Sequence, residues 1–109
     1  MTASERVAGA LRSTGLPFTY LAWPTGHAPA LPWCVWLEDD HGEFYADDSN
    51  YAALPRIRVE LYQSEHDESV TAKVRDALRV LGPTSERTDW VESEGCEMTS
   101  FEFTERGVD

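Results

Sequence analysis

The chain predicts an α+β fold, a single domain in which a mainly antiparallel sheet of five to six strands is packed by two helices. Three observations carry this expectation. Two stretches, one near the N-terminus and one in the second half, repeat apolar residues at helical spacing, so each has one apolar stripe. The stretches between and after them alternate apolar and polar residues with period two, the pattern of strands buried on one face. With 109 residues, 41% of them apolar and 11% aromatic, the chain has material for one core, and a chain of this size hides roughly 65% of its unfolded surface on folding.

The elements follow in order α-β-β-β-β-α-β-β. Thr2 with Glu5 three residues on has the spacing of a capping box, and Val7, Ala10 and Leu11 form an apolar face over a helix from Ser4 to Thr14. Gly15 suits the left-handed residue after a helix, and Pro17 prevents its continuation. Phe18 to Trp23 is aromatic and predicts a first strand, followed by the Pro- and Gly-bearing loop Pro24 to Pro32. Trp33 to Glu38 and Glu43 to Asp47 predict a hairpin across Asp39-Asp40-His41-Gly42. Arg56 to Tyr62 is the clearest strand, with Ile57, Val59 and Leu61 on one face and charge on the other.

Asp67 is placed to cap a second helix whose stripe is Val70, Val74, Ala77, Leu78 and Leu81, and Gly82-Pro83 ends it. Arg87 to Ser93 and Cys96 to Phe103 predict a second hairpin across Glu94-Gly95, with Thr99, Phe101 and Phe103 on one face. Residues 104–109 read as a polar tail, and the whole of 1–109 reads as one domain.

Charge narrows the partners. Twenty acidic residues against nine basic ones leave a net charge of −11. Binding to nucleic acid is driven by cations that release counterions, and binding to anionic lipid likewise needs Lys and Arg, so neither is an expected partner. A basic protein surface fits better. The N-terminus lacks a basic region followed by an apolar run, and no segment nears the ~20 apolar residues that span a bilayer. The expectation is a protein made and kept in the cytoplasm, or in something assembled there. Cys34 and Cys96 fall in apolar strands and read as buried free thiols.

The search for reactive groups is empty. His27, His41 and His66 all fall in expected loops without the spacing that gathers zinc ligands. Asp39, Asp40, Asp47 and Asp48 bracket one hairpin but lack the order of a calcium loop. No Gly-x-Ser-x-Gly occurs, and with Lys73 as the one lysine there is no phosphate loop. The expectation is therefore no catalytic residue, no metal and no cofactor. The aromatics are the more informative signal. Both faces of Trp33-Cys34-Val35-Trp36 cannot be equally covered by two helices, so one tryptophan is free either for a contact or for packing within the subunit. The candidate interface residues are Trp23, His27, Trp36, Asp39, Asp40, Tyr45 and Tyr51.

Taken in order, several segments resemble one family. They are Ser13-Thr14-Gly15-Leu16-Pro17, the loop ending Ala28-Pro29-Ala30-Leu31-Pro32, and Cys34-Val35-Trp36-Leu37-Glu38. Phe44 to Tyr51, Ile57-Arg58-Val59-Glu60-Leu61-Tyr62, Trp90 to Glu94 and Phe101-Glu102-Phe103 complete the series. In this order the chain resembles the small tail-completion proteins of long-tailed bacteriophages and prophages, the tail-terminator and head-to-tail joining type. The resemblance implies an α+β subunit that forms a ring, commonly six-fold, at the head-proximal end of the tail tube. Its implied partners are further copies of itself, tail-tube proteins and head-connector proteins, and its implied place is the virion. The hairpin around Asp39 to Gly42 and the loop Pro24 to Pro32 are then natural contact elements.

The alternative function is a small acidic inhibitor, of the DNA-mimic type, that binds a basic partner. Against it, the acids are interleaved along the strands rather than massed on one element. A small-molecule enzyme or binding domain would need an apolar pocket with convergent polar groups; the aromatics could line one, and nothing else in the sequence supports it.

Overall fold

The fold follows from where the alternating segments put their apolar faces. The computed structural model describes residues 2–39 and 56–104. Its elements are α1 (Ala3–Arg12), β1 (Phe18–Tyr20), β2 (Trp33–Asp39), β3 (Arg56–Gln63), α2 (Glu68–Arg79), β4 (Ser85–Val91) and β5 (Cys96–Thr104). The strands make one sheet in the order β1-β2-β3-β5-β4. The α+β class expected from the sequence is the one observed. The expected strand Glu43 to Asp47, its hairpin and the tail beyond Thr104 lie outside the described residues.

Both helices begin where their caps place them. Thr2 Oγ1 accepts from the Glu5 amide at 3.1 Å, and the Glu5 carboxylate accepts from the Thr2 amide at 2.8 Å. These reciprocal bonds satisfy two backbone donors that the first turn leaves free. Asp67 caps α2 by accepting from the Ser69 amide at 3.0 Å. At the end of α1 the Thr14 hydroxyl donates to the Leu11 carbonyl, and Gly15, at φ +79°, takes the left-handed turn that releases the chain toward β1.

Period-two alternation then sets the layers. The register aligns Cys34 with Leu61 and Trp36 with Val59, and β5 continues the rows with Thr99, Phe101 and Phe103. Val7 and Leu11 of α1 and Val74 and Leu78 of α2 close over these side chains, and the core residues of both layers are almost fully buried. Phe101 is the largest fully buried side chain and stands on β5, between β3 and β4. A polar pin crosses the same interface. Buried Gln63 donates to the Thr71 hydroxyl of α2 at 3.0 Å, and Thr71 donates in turn to the Asp67 carbonyl at 3.1 Å.

One expectation is corrected. The first strand was expected to run to Trp23, but β1 stops at Tyr20 because Leu21 adopts φ +69°. The Leu21 amide still donates to the Trp36 carbonyl at 2.9 Å, so the chain leaves the sheet only after that bond. The sheet is mainly antiparallel, as expected, with one parallel pairing at its edge. β1 pairs with β2 in parallel, because the long connection through Pro24 to Pro32 returns the chain to the same end before β2 starts. The other pairings are antiparallel, and β2 has β3 as its neighbour on the far side from β1.

Candidate interaction surface

Because α1 and α2 cover one face, every second residue of β2, β3 and β5 points to the other, over which no helix of the described residues lies although Val35 and Ser100 are buried there. β3 places Arg56, Arg58, Glu60 and Tyr62 there, β2 adds Trp33, Val35 and Leu37, and β5 adds Met98, Ser100 and Glu102. An aromatic block stands at one end of this face. Trp33 and Tyr62 are directly paired across strands with ring centroids 4.8 Å apart, and Trp23 folds back from the β1–β2 connection to meet Trp33 edge-on at 5.6 Å. Such geometry adds about 0.5–1.5 kcal/mol per ring pair beyond area burial. The buried Trp23 indole N–H has no hydrogen-bond partner among the described residues.

The block runs into a chain of charges. The Tyr62 hydroxyl donates to the Glu60 carboxylate at 2.9 Å, and burial together with that bond pushes the phenol well above its ordinary range. Arg58 Nε lies 3.1 Å from the same carboxylate but off the line its N–H needs, so this is an ion pair without a hydrogen bond. Arg58 also reaches Glu102 at 3.8 Å, and Glu102 accepts from Arg56 at 3.5 Å. Four strand positions therefore carry alternating charge, mostly compensated in place. The face thus joins apolar rings to a band of paired charges.

A second polar cluster lies where α2 meets the sheet. Each His66 ring nitrogen faces a carboxylate, Nδ1 to Glu97 at 2.8 Å and Nε2 to Glu68 at 3.1 Å. A neutral imidazole has only one N–H, so it cannot donate to both; the two bonds favour the imidazolium and hold the His66 pKa above its usual value. Arg75 extends the network, donating to Glu86 at 2.8 and 2.9 Å and to Glu68 at 3.1 Å. The guanidinium in turn draws Glu86 below the ordinary carboxylate range, while Glu68 is lowered first by His66 and then by Arg75.

A groove of about 890 Å³ lies between α1 and the end of α2, lined by Ala8, Gly9, Ala10, Ala77, Val80 and Leu81 together with Glu5, Arg6, Arg12 and Ser13. Val80 is 81% exposed there. Helical periodicity should have marked this position, because Val80 falls outside the buried stripe Val74, Leu78 and yet is apolar.

The predicted interface residues separate. Trp36 is 5% exposed and lies in the helix-side core, edge-on to Tyr20 at 4.7 Å, whereas Trp33, the other tryptophan of β2, is half-buried. Trp23 joins Trp33, and His27 is exposed in the connecting loop. Asp39 ends β2, while Asp40, Tyr45 and Tyr51 lie outside the described residues. Cys34 and Cys96 are free and buried, and burial pushes the Cys34 thiol up to about 12, away from any nucleophilic use. Among the described residues no group of three or more His, Cys, Asp or Glu is arranged to hold a metal, and no helix is long and apolar enough to cross a membrane.

Comparison with known protein families, with curated proteins and with solved structures returned no match.

Proposed function

We propose that the protein is a non-enzymatic assembly subunit of a long-tailed phage or prophage, completing the tail or joining it to the head as part of a ring. The observation that carries this reading is the sheet face opposite α1 and α2. Three strands there present an aromatic block and compensated charges, with no reactive group among them. Rings built head-to-tail need two different patches on each subunit. The sheet face supplies one, and the apolar groove between α1 and α2, on the opposite layer, supplies the other. The ordered resemblance across the chain points the same way, and the net charge of −11 suits a basic face on the tail or connector partner.

The test is protein mass spectrometry of particles induced from the source strain. Stoichiometric, low-copy recovery with the tail proteins is the expected result. Its absence from particles whose other tail proteins are well covered would remove the reading. Salt-sensitive capture of a basic enzyme would then favour an acidic inhibitor.

A further inference from the structure

We infer that the outer edge of β4 is a self-association site, at which a second copy of this chain pairs antiparallel across a two-fold axis through Thr88. The inference does not depend on the tail reading. β4 ends the sheet order, so among the described residues no strand pairs with its outer side. It offers seven consecutive strand residues with no proline, and backbone groups on such an edge are a template for another strand.

Charge selects the partner and the register. A two-fold perpendicular to the sheet keeps the helices of both copies on one side, and the axis must then pass through a residue. Through Arg87 it sets two guanidinium groups against each other, and through Asp89 it sets two carboxylates against each other. Through Thr88 it sets Arg87 opposite Asp89 of the second copy, twice. These two side chains are exposed and already lie on one face of β4, 3.1 Å apart. On the helix side, the same register sets Trp90 opposite Glu86 of the second copy. Trp90 is 55% exposed, and Glu86 carries the Arg75 guanidinium. An indole over a guanidinium is a favourable cation–π arrangement, and it would cover the one large apolar side chain that β4 leaves open on that face.

A strand edge of this length lies at the low end of interface sizes, so the dissociation constant should be roughly micromolar to 100 micromolar. Sedimentation equilibrium of the whole protein tests this. The wild-type chain is expected to dimerise. Arg87→Asp and Asp89→Arg each place like charges across the axis and are expected to weaken the dimer roughly tenfold or more. The decisive sample is a one-to-one mixture of the two variants. It restores opposite charges across the axis while leaving the pair within each chain broken, so a heterodimer should form from two monomeric proteins of unchanged circular dichroism. A wild-type chain monomeric at about 1 mM overturns the inference, as does a mixture that stays monomeric. A larger ring that persists in both variants would also overturn it, while leaving the tail reading intact.

Discussion

At the scale of single residues, the informative positions are those where side-chain type and local environment disagree. Leu21 holds φ +69° with a side chain 59% exposed, so it bears the steric cost of the left-handed region without strong burial in return. Leu21→Gly should raise stability by up to about 1 kcal/mol, part of the relief being offset by the looser unfolded chain. Thermal melts should show an increase of a few degrees; a lower melting temperature would mean that the leucine side chain is needed for packing. The two tryptophans of β2 give a second contrast. Trp36→Ala empties a core site and should cost about 3–5 kcal/mol, a large share of the total for a domain of this size. Trp33→Ala should cost clearly less, because that ring lies outside the helix-sheet core. Urea unfolding midpoints for the two variants check the order. Alternation alone showed that the two rings face opposite ways. Which way was unreadable until the register aligned Trp36 with Val59 and thereby with the helices.

At the scale of elements, α2 depends on its polar N-terminal end as well as its apolar stripe. His66 is held above its ordinary pKa by Glu97 from β5 and Glu68 from α2, with Asp67 beside it and Glu86 beyond. A raised folded-state pKa means that the stabilisation is fully present below the unfolded value near 6.5 and is lost as the pH rises through the folded value. The carboxylates act in the opposite sense. Glu5, Asp67, Glu68 and Glu86 are lowered, so their contribution holds above ordinary carboxylate values and is lost in acid. Stability should therefore peak on the mildly acidic side of neutrality. His66→Ala should melt below wild type near pH 5.5 and approach it at pH 9, and parallel curves across that range would contradict the clamp. The helix limits and both caps were legible in the sequence because capping is local chemistry. The His66 network was not, since Glu97 lies thirty-one positions away and joins only when β5 is in place.

For the whole molecule, the prediction concerns separating fold from assembly. Val80 caps the end of α2 and is 81% exposed on the rim of the groove between the helices. A cation there agrees with the helix dipole, so Val80→Lys should leave the melting temperature within about 2 °C of wild type. If the groove receives a neighbouring subunit, the same variant should fail to enter particles; normal incorporation would assign the contact to another surface. The α+β class, the antiparallel centre of the sheet and both helical stripes were legible because periodicity reports which face is buried. The parallel placement of β1 was not, because three residues of strand carry too little pattern to declare a direction. Nor could the sequence single out the Trp23-Trp33-Tyr62 block, which needs the chain to fold back at Leu21 and two distant strands to lie side by side.

The position of β5 bears on how the protein is made. It is the last of the described strands to be synthesised, yet it occupies an interior position in the sheet, paired with both β3 and β4. A nascent chain that has emerged only as far as α2 has the helices and β1 to β3 but neither Phe101 nor Phe103 to close the core, so cooperative packing waits for nearly the whole described chain. Until then its apolar strand faces stay open to chaperones and proteases. Premature termination anywhere before Cys96 should consequently yield rapidly degraded fragments rather than partly functional subunits.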